Sequence, residues 1–154
     1  DGTGETVEKM VRATLTQFDE THVKVVRYKS IRSSAQVEAI LEEAKKKGIQ
    51  PALFDMRFAK PLDEDLLHHI FTTYKTLITV EDGAIQGGFG SAIAEFMVDH
   101  QYSAKVIRLG IPDQIIEHGE QKELYEQCGI DSKSILTKIL AQYPAKAKVL
   151  KSIS

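Results

Sequence analysis

A single cysteine, Cys128, is all that the 154-residue sequence offers to sulfur chemistry. It cannot close an internal disulfide, so a reducing, cytoplasmic compartment is expected. No apolar run exceeds three residues. No stretch could therefore cross a bilayer as a helix or form the core of a signal peptide, and no membrane partner is expected. Charge of one sign is lacking too: 20 Lys and Arg against 22 Asp and Glu give a formal net charge of −2. Such a chain has no electrostatic footprint for nucleic acid. Tryptophan is absent, and ten glycines with four prolines exclude collagen-like or low-complexity architecture. What remains is ordinary globular composition, 42% hydrophobic and 27% charged, in a length that suits one domain with a real core.

Apolar periodicity alternates between helix and strand. Glu5–Phe18 reads as a helix striped by Val7, Met10, Val11, Leu15 and Phe18, with Thr3 as its N-cap. His22–Tyr28 is short and β-branched, hence a strand. Ser33 and Gln36 form a capping-box pattern that opens a helix through Val37, Ile40, Leu41 and Ala44, stopped at Gly48. Pro51–Asp55 reads as a buried strand, and a helix starts at Asp63 and Glu64. Thr76–Val80 is the third strand. Gly87-Gly88-Phe89-Gly90 then turns into a helix over Ser91–His100. Ala104–Leu109 is the fourth strand, ended by Gly110 and Pro112. Two helices come after it, Glu120–Cys128 and Asp131–Tyr143. Strands alternating with helices at this spacing predict right-handed βαβ units: a three-layer α/β/α fold with a mainly parallel central sheet.

Few residues point to chemistry. The Gly87, Gly88 and Gly90 turn stands where a strand meets a helix N-terminus, a place that attracts anions. Its spacing is neither G-x-G-x-x-G nor G-x-x-x-x-G-K-[ST], and Glu81 and Asp82 beside it would repel a phosphate. Tight turning and close helix–sheet packing explain these glycines better. The N-terminal D-G-T-G-E-T has the same helix-start logic and the same plain alternative. His118 lies beyond the fourth strand, on the side where open α/β sheets bind ligands, but a lone loop histidine usually serves a turn. His68 and His69 are adjacent and so face different ways. No histidine or cysteine spacing suits a metal, so none is expected, and no G-x-S-x-G marks a hydrolase.

Residues 48–135 resemble the C-terminal domain of the 1-deoxy-D-xylulose-5-phosphate synthase family, thiamine-diphosphate enzymes of the transketolase superfamily. The matching stretches are Asp55–Leu62 (DMRFAKPL), Val80–Phe96 (VEDGAIQGGFGSAIAEF) and Arg108–Gln121 (RLGIPDQIIEHGEQ). The resemblance implies the transketolase C-terminal fold, in a domain that closes an assembly and supports dimerisation. Thiamine diphosphate and magnesium belong to the family's other domains. The G-D-G motif that binds them is absent here, so no catalytic residue and no cofactor carry over.

Residues 1–47 differ. Asp1–Phe18 (DGTGETVEKMVRATLTQF) resembles the start of the bacterial regulatory kinase/phosphorylase family that acts on pyruvate, phosphate dikinase or phosphoenolpyruvate synthase. That family's phosphate-binding loop has no counterpart here, so kinase activity is not implied. Two ancestries meeting near Gly48 would make residues 1–154 one α/β domain of chimeric origin, recombined or engineered, structural and without catalysis of its own. The alternatives are an isolated synthase domain serving assembly, and a flavodoxin-like module binding phosphate or nucleotide at its glycine turns. A homodimer is expected from the synthase resemblance. The tail Lys148–Ile153 is expected to add a strand near the first helix, as in a circular permutant, or to be irregular.

Overall fold

A computed structural model describes residues 23–28 and 34–143. The expected first helix with its Thr3 cap, His22, the Ser33 half of the capping box and the tail strand lie outside these residues. Four strands form one parallel sheet: β1 (Val23–Tyr28), β2 (Ala52–Asp55), β3 (Thr76–Ala84) and β4 (Lys105–Ile111). Five helices alternate with them: α1 (Ser34–Lys46), α2 (Glu64–Thr73), α3 (Phe89–Asp99), α4 (Gln121–Cys128) and α5 (Ser132–Ala141). The strand order is β2-β1-β3-β4, with β1 hydrogen-bonded on both sides.

The two-residue period of β3 divides the core. Ile78 and Val80 face one side, where they meet Ile40 and Ala44 of α1 and Ile135 and Ile139 of α5. Leu77 faces the other, against Leu67, Ile70 and Phe71 of α2 and Phe89, Ile93 and Phe96 of α3. Helices thus cover both faces, which is why the strands read as apolar runs rather than alternating ones. Each large aliphatic side chain buried in this way contributes about 1.5–3 kcal/mol.

The helix ends obey their local chemistry. Asp63 Oδ1 accepts the Leu66 amide (3.0 Å) at the start of α2. Asp131 Oδ1 accepts the amides of Lys133 (2.9 Å) and Ser134 (3.1 Å) at the start of α5. Three elements run beyond the ends expected from the sequence. β3 runs four residues beyond Val80, because Ala84 still pairs with Ile111 after an irregularity. β4 correspondingly continues through Gly110 to Ile111. And α3 begins at Phe89 rather than Ser91, inside the glycine turn.

Candidate functional site

The early start of α3 has its cause in Glu81. Alternation along β3 turns Leu77, Thr79 and Glu81 toward α3, and Glu81 ends up 4% exposed. Its Oε2 accepts the amide of Phe89 (2.7 Å) and its Oε1 the amide of Gly90 (2.9 Å). A helix N-terminus leaves such amides without intrahelical partners and carries partial positive charge. Here a side chain of the same protein supplies the anion. Sequence reasoning placed Glu81 as a group repelling anions from this turn. It missed that the carboxylate itself fills the anion's place, through bonds to residues eight and nine positions further along the chain.

Two of the glycines leave no space for a side chain, one of them because of Glu81. A Cβ on Gly88 would collide with the carbonyl oxygen of Ala84 and with Glu81 Oε2. A Cβ on Gly90 would lie 2.6 Å from Thr79 Oγ1 and 3.0 Å from Arg108 Cγ. Gly87 differs, for its need is a left-handed φ of 69° with open space around it. The turn is then tied down from β4. Arg108 Nη1 donates to Ser91 Oγ (2.7 Å) and to the carbonyl of Ile85 (3.0 Å). Ser91 Oγ donates to the same carbonyl (3.0 Å) and accepts the Gly87 amide (3.0 Å). Arg108 was not singled out from the sequence, where a lone arginine in an apolar strand carries no pattern.

A separate cavity of about 440 Å³ lies on the opposite face, over the C-terminal end of β3. Its floor is Val80, Ile130 and Ile135. Its walls are Gln36 of α1, Gln121, Lys122, Tyr125 and Glu126 of α4, and Asp131 with Lys133 at the start of α5. Tyr125 donates its hydroxyl to Asp82 Oδ2 (2.8 Å) and accepts from Gln121 Nε2 (3.0 Å). Burial alone would raise the Asp131 carboxyl. Hydrogen bonds from the Ser134 hydroxyl and amide and from the Lys133 amide outweigh it and hold the group below the ordinary Asp range.

His118 is exposed between β4 and α4 and does not line this cavity. His68 is half-buried elsewhere, against Phe96, His100 and Tyr102, with its Nδ1 2.7 Å from the Tyr102 hydroxyl. His69, one residue on, is exposed. Cys128 packs beside the α1–α5 core, its thiol pushed up by burial and then by the charge of Asp82.

Among the described residues no group of three His, Cys, Asp or Glu side chains could hold a metal ion. The turn amides that could take a diphosphate are engaged by Glu81. Among these residues, too, no helix is long and apolar enough to cross a membrane.

The transketolase C-terminal domain family matches residues 20–135. The match begins upstream of Gly48, so the change of ancestry expected there is not seen, and β1 and α1 belong to the same domain as β2, β3 and β4. The 1-deoxy-D-xylulose-5-phosphate synthase of Cytophaga hutchinsonii is 57% identical over 100 residues, 65% of this chain and 15% of the relative. That of Bacteroides thetaiotaomicron is 48% identical over 104 residues, 68% of this chain and 16% of the relative. The chain thus spans only about 15% of the length of these relatives. A solved split-gene transketolase, an inactive β4 tetramer, superposes with a TM-score of 0.69 at 24% identity, over 80% of this chain and 39% of that one. That likeness concerns the fold. With the family match covering more than half of its length, this chain belongs to the transketolase C-terminal domain family.

Proposed function

We propose that the chain serves as the C-terminal domain of a 1-deoxy-D-xylulose-5-phosphate synthase, supporting a larger enzyme's assembly rather than supplying reacting groups. The 57% identity to a synthase over 100 residues carries this reading. The chemistry of the turn agrees with it. Glu81 is spent on helix amides and Arg108 on Ser91 and a carbonyl, so the charged groups there hold the backbone in place. A synthase domain serving assembly thereby replaces a chimera as the main reading.

A domain exchange tests it. Residues 20–135 replace the matching domain of the Cytophaga hutchinsonii synthase, and product formation and oligomeric state are measured. The exchanged enzyme is expected to assemble as its parent does and to make 1-deoxy-D-xylulose 5-phosphate. The purified chain alone is expected to make none. Failure of the exchanged enzyme to assemble, or turnover by the chain alone, would overturn the proposal.

A further inference from the structure

β4 closes one side of the strand order β2-β1-β3-β4. The direction of its backbone groups follows from the bonds near its two ends. The Lys105 amide donates to the carbonyl of Lys75 (2.8 Å), and the carbonyl of Ile111 accepts the Ile85 amide (2.9 Å). Backbone groups alternate in direction along a strand. Lys105, Ile107, Leu109 and Ile111 therefore turn theirs toward β3, while Val106 and Arg108 turn theirs outward. Among the described residues no strand pairs with them on that side. Edges of this kind are normally guarded by shortness, charge, proline or a bulge. β2, the opposite edge, is four residues long. β4 has seven residues and no proline, and the irregularity in its pairing lies beyond Leu109. Arg108 is the charge best placed to guard it, but its guanidinium is drawn into the glycine turn. Val106 and Ile107 are only partly buried, on opposite faces of the sheet. An apolar edge without these guards is a template for a further strand.

Handedness narrows what that strand can be. α5 packs beside α1 on one face of the sheet, and α2 with α3 covers the other. A step from β4 through α5 to a parallel strand outside it would run away from β2, on the face that α1 occupies. Its hand would be opposite to that of the β1–α1–β2 step, and such crossovers are right-handed in about 98% of cases. Residues directly after α5 are therefore poor parallel partners for β4. Gln142, at the end of α5, bonds to Lys105 at the start of β4 (2.7 Å). An antiparallel run from there would first have to travel the length of β4, about 23 Å, consuming most of residues 144–154. Before β1, Glu5–Phe18 carries a helical period, not that of a strand. A second copy meets none of these obstacles, because a twofold axis brings its own β4 alongside in the antiparallel sense.

We propose that the chain dimerises by pairing β4 with the β4 of a second copy about a twofold axis at Ile107, which joins two four-stranded sheets into one. Val106 exchanges backbone hydrogen bonds with the partner's Arg108, and Arg108 with the partner's Val106. Ile107 meets the partner's Ile107 as a close pair without hydrogen bonds between them. This register keeps the two Arg108 side chains from standing directly opposite, where like charges destabilise a sheet. The pairing needs only the edge of this domain and stands whether or not the chain acts within a synthase.

Sedimentation and cross-linking of the full 154-residue chain test this. A dimer is expected at tens of micromolar. Val106→Pro removes an outward amide and leaves the bonds to β3 in place, so it is expected to weaken the dimer by about tenfold or more while the circular dichroism stays native. Cross-linking gives a second readout that does not depend on the proline variant folding. Ile107→Cys and Lys105→Cys are each made together with Cys128→Ser and oxidised with glutathione disulfide. Residues facing each other in a pair without hydrogen bonds have Cα atoms about 4.5 Å apart, within reach of a disulfide. The cysteine at position 107 is expected to form the intermolecular disulfide at least about tenfold faster than the one at 105, which lies two residues off the axis. A monomer, a dimer indifferent to Val106→Pro, or cross-linking no faster at 107 than at 105 would overturn the proposal.

Discussion

Glu81 is held by two backbone amides, and its neighbours are shaped to leave it space. The glycines on the turn are therefore not equivalent. Gly87→Ala introduces a left-handed alanine into open space, costing about 1–2 kcal/mol. Gly88→Ala pushes a methyl group into the Ala84 carbonyl and displaces the carboxylate, exposing two buried amides to loss of their acceptor at about 1–3 kcal/mol each. Thermal unfolding is expected to rank the variants with Gly88→Ala clearly lower, each kcal/mol appearing as about 2–4 °C. Equal melting temperatures would contradict the close-packing account. A second prediction concerns Cys128. With its thiol raised by burial and by Asp82, it is expected to react more slowly with a disulfide reagent near neutral pH than a free cysteine does. Asp82→Asn removes the second cause and is expected to speed the reaction. At this scale the sequence was only partly legible. That glycines stood against something could be read from their number and place. That Glu81 was the something could not, because its two bonds join residues eight and nine positions away across a turn.

The elements were more legible, since each is written in a local period. β2, α2 and the start of α5 lie close to where the apolar spacing and the aspartates put them. The misses fall where a tertiary partner overrides the local rule. Glycines normally end regular structure, but α3 starts within them because Glu81 satisfies its first amides. β3 passes through Gly83 because β4 continues beside it. The Asp131 cap yields a prediction with a pH signature. Asp131→Ala is expected to cost about 1 kcal/mol of stability at neutral pH. Because the folded value of the carboxyl is depressed, its contribution is complete above the ordinary Asp value, about 3.9, and is lost as the pH falls below it. Asp131→Asn keeps a capping oxygen without titrating, so the acid side of its stability profile is expected to be flatter than that of the unsubstituted chain. Parallel profiles would show that the cap does not contribute this linkage.

For the whole molecule, helix–strand alternation made the three-layer fold readable, whereas strand order depends on crossover choices that leave no mark in any one segment. The proposed assembly role points to the rim at the C-terminal ends of the strands. Phe58, just past β2, is 68% exposed, and Ile115, just past β4, is 94% exposed. Single exposed apolar groups are ordinary on a protein surface, but under the proposed assembly role these two are the ones a neighbouring domain would cover. In the exchanged synthase, Phe58→Ser with Ile115→Ser is expected to weaken assembly while leaving the melting temperature of the isolated chain unchanged. Sedimentation of the isolated chain at tens of micromolar is expected to show a homodimer, and a clean monomer would remove self-association from the account.

The claim that the buried Glu81 carboxylate supports architecture, not reaction, is tested most directly in the exchanged synthase carrying Glu81→Gln. A glutamine can accept one amide but turns its own NH₂ toward the other, leaving a buried donor unsatisfied. The account predicts a melting temperature lower by several degrees, with kcat per folded enzyme within about threefold of the unsubstituted form. A fall in kcat of roughly 100-fold or more, of the size lost with a general acid or base, at an unchanged melting temperature would contradict it and make Glu81 a reacting group.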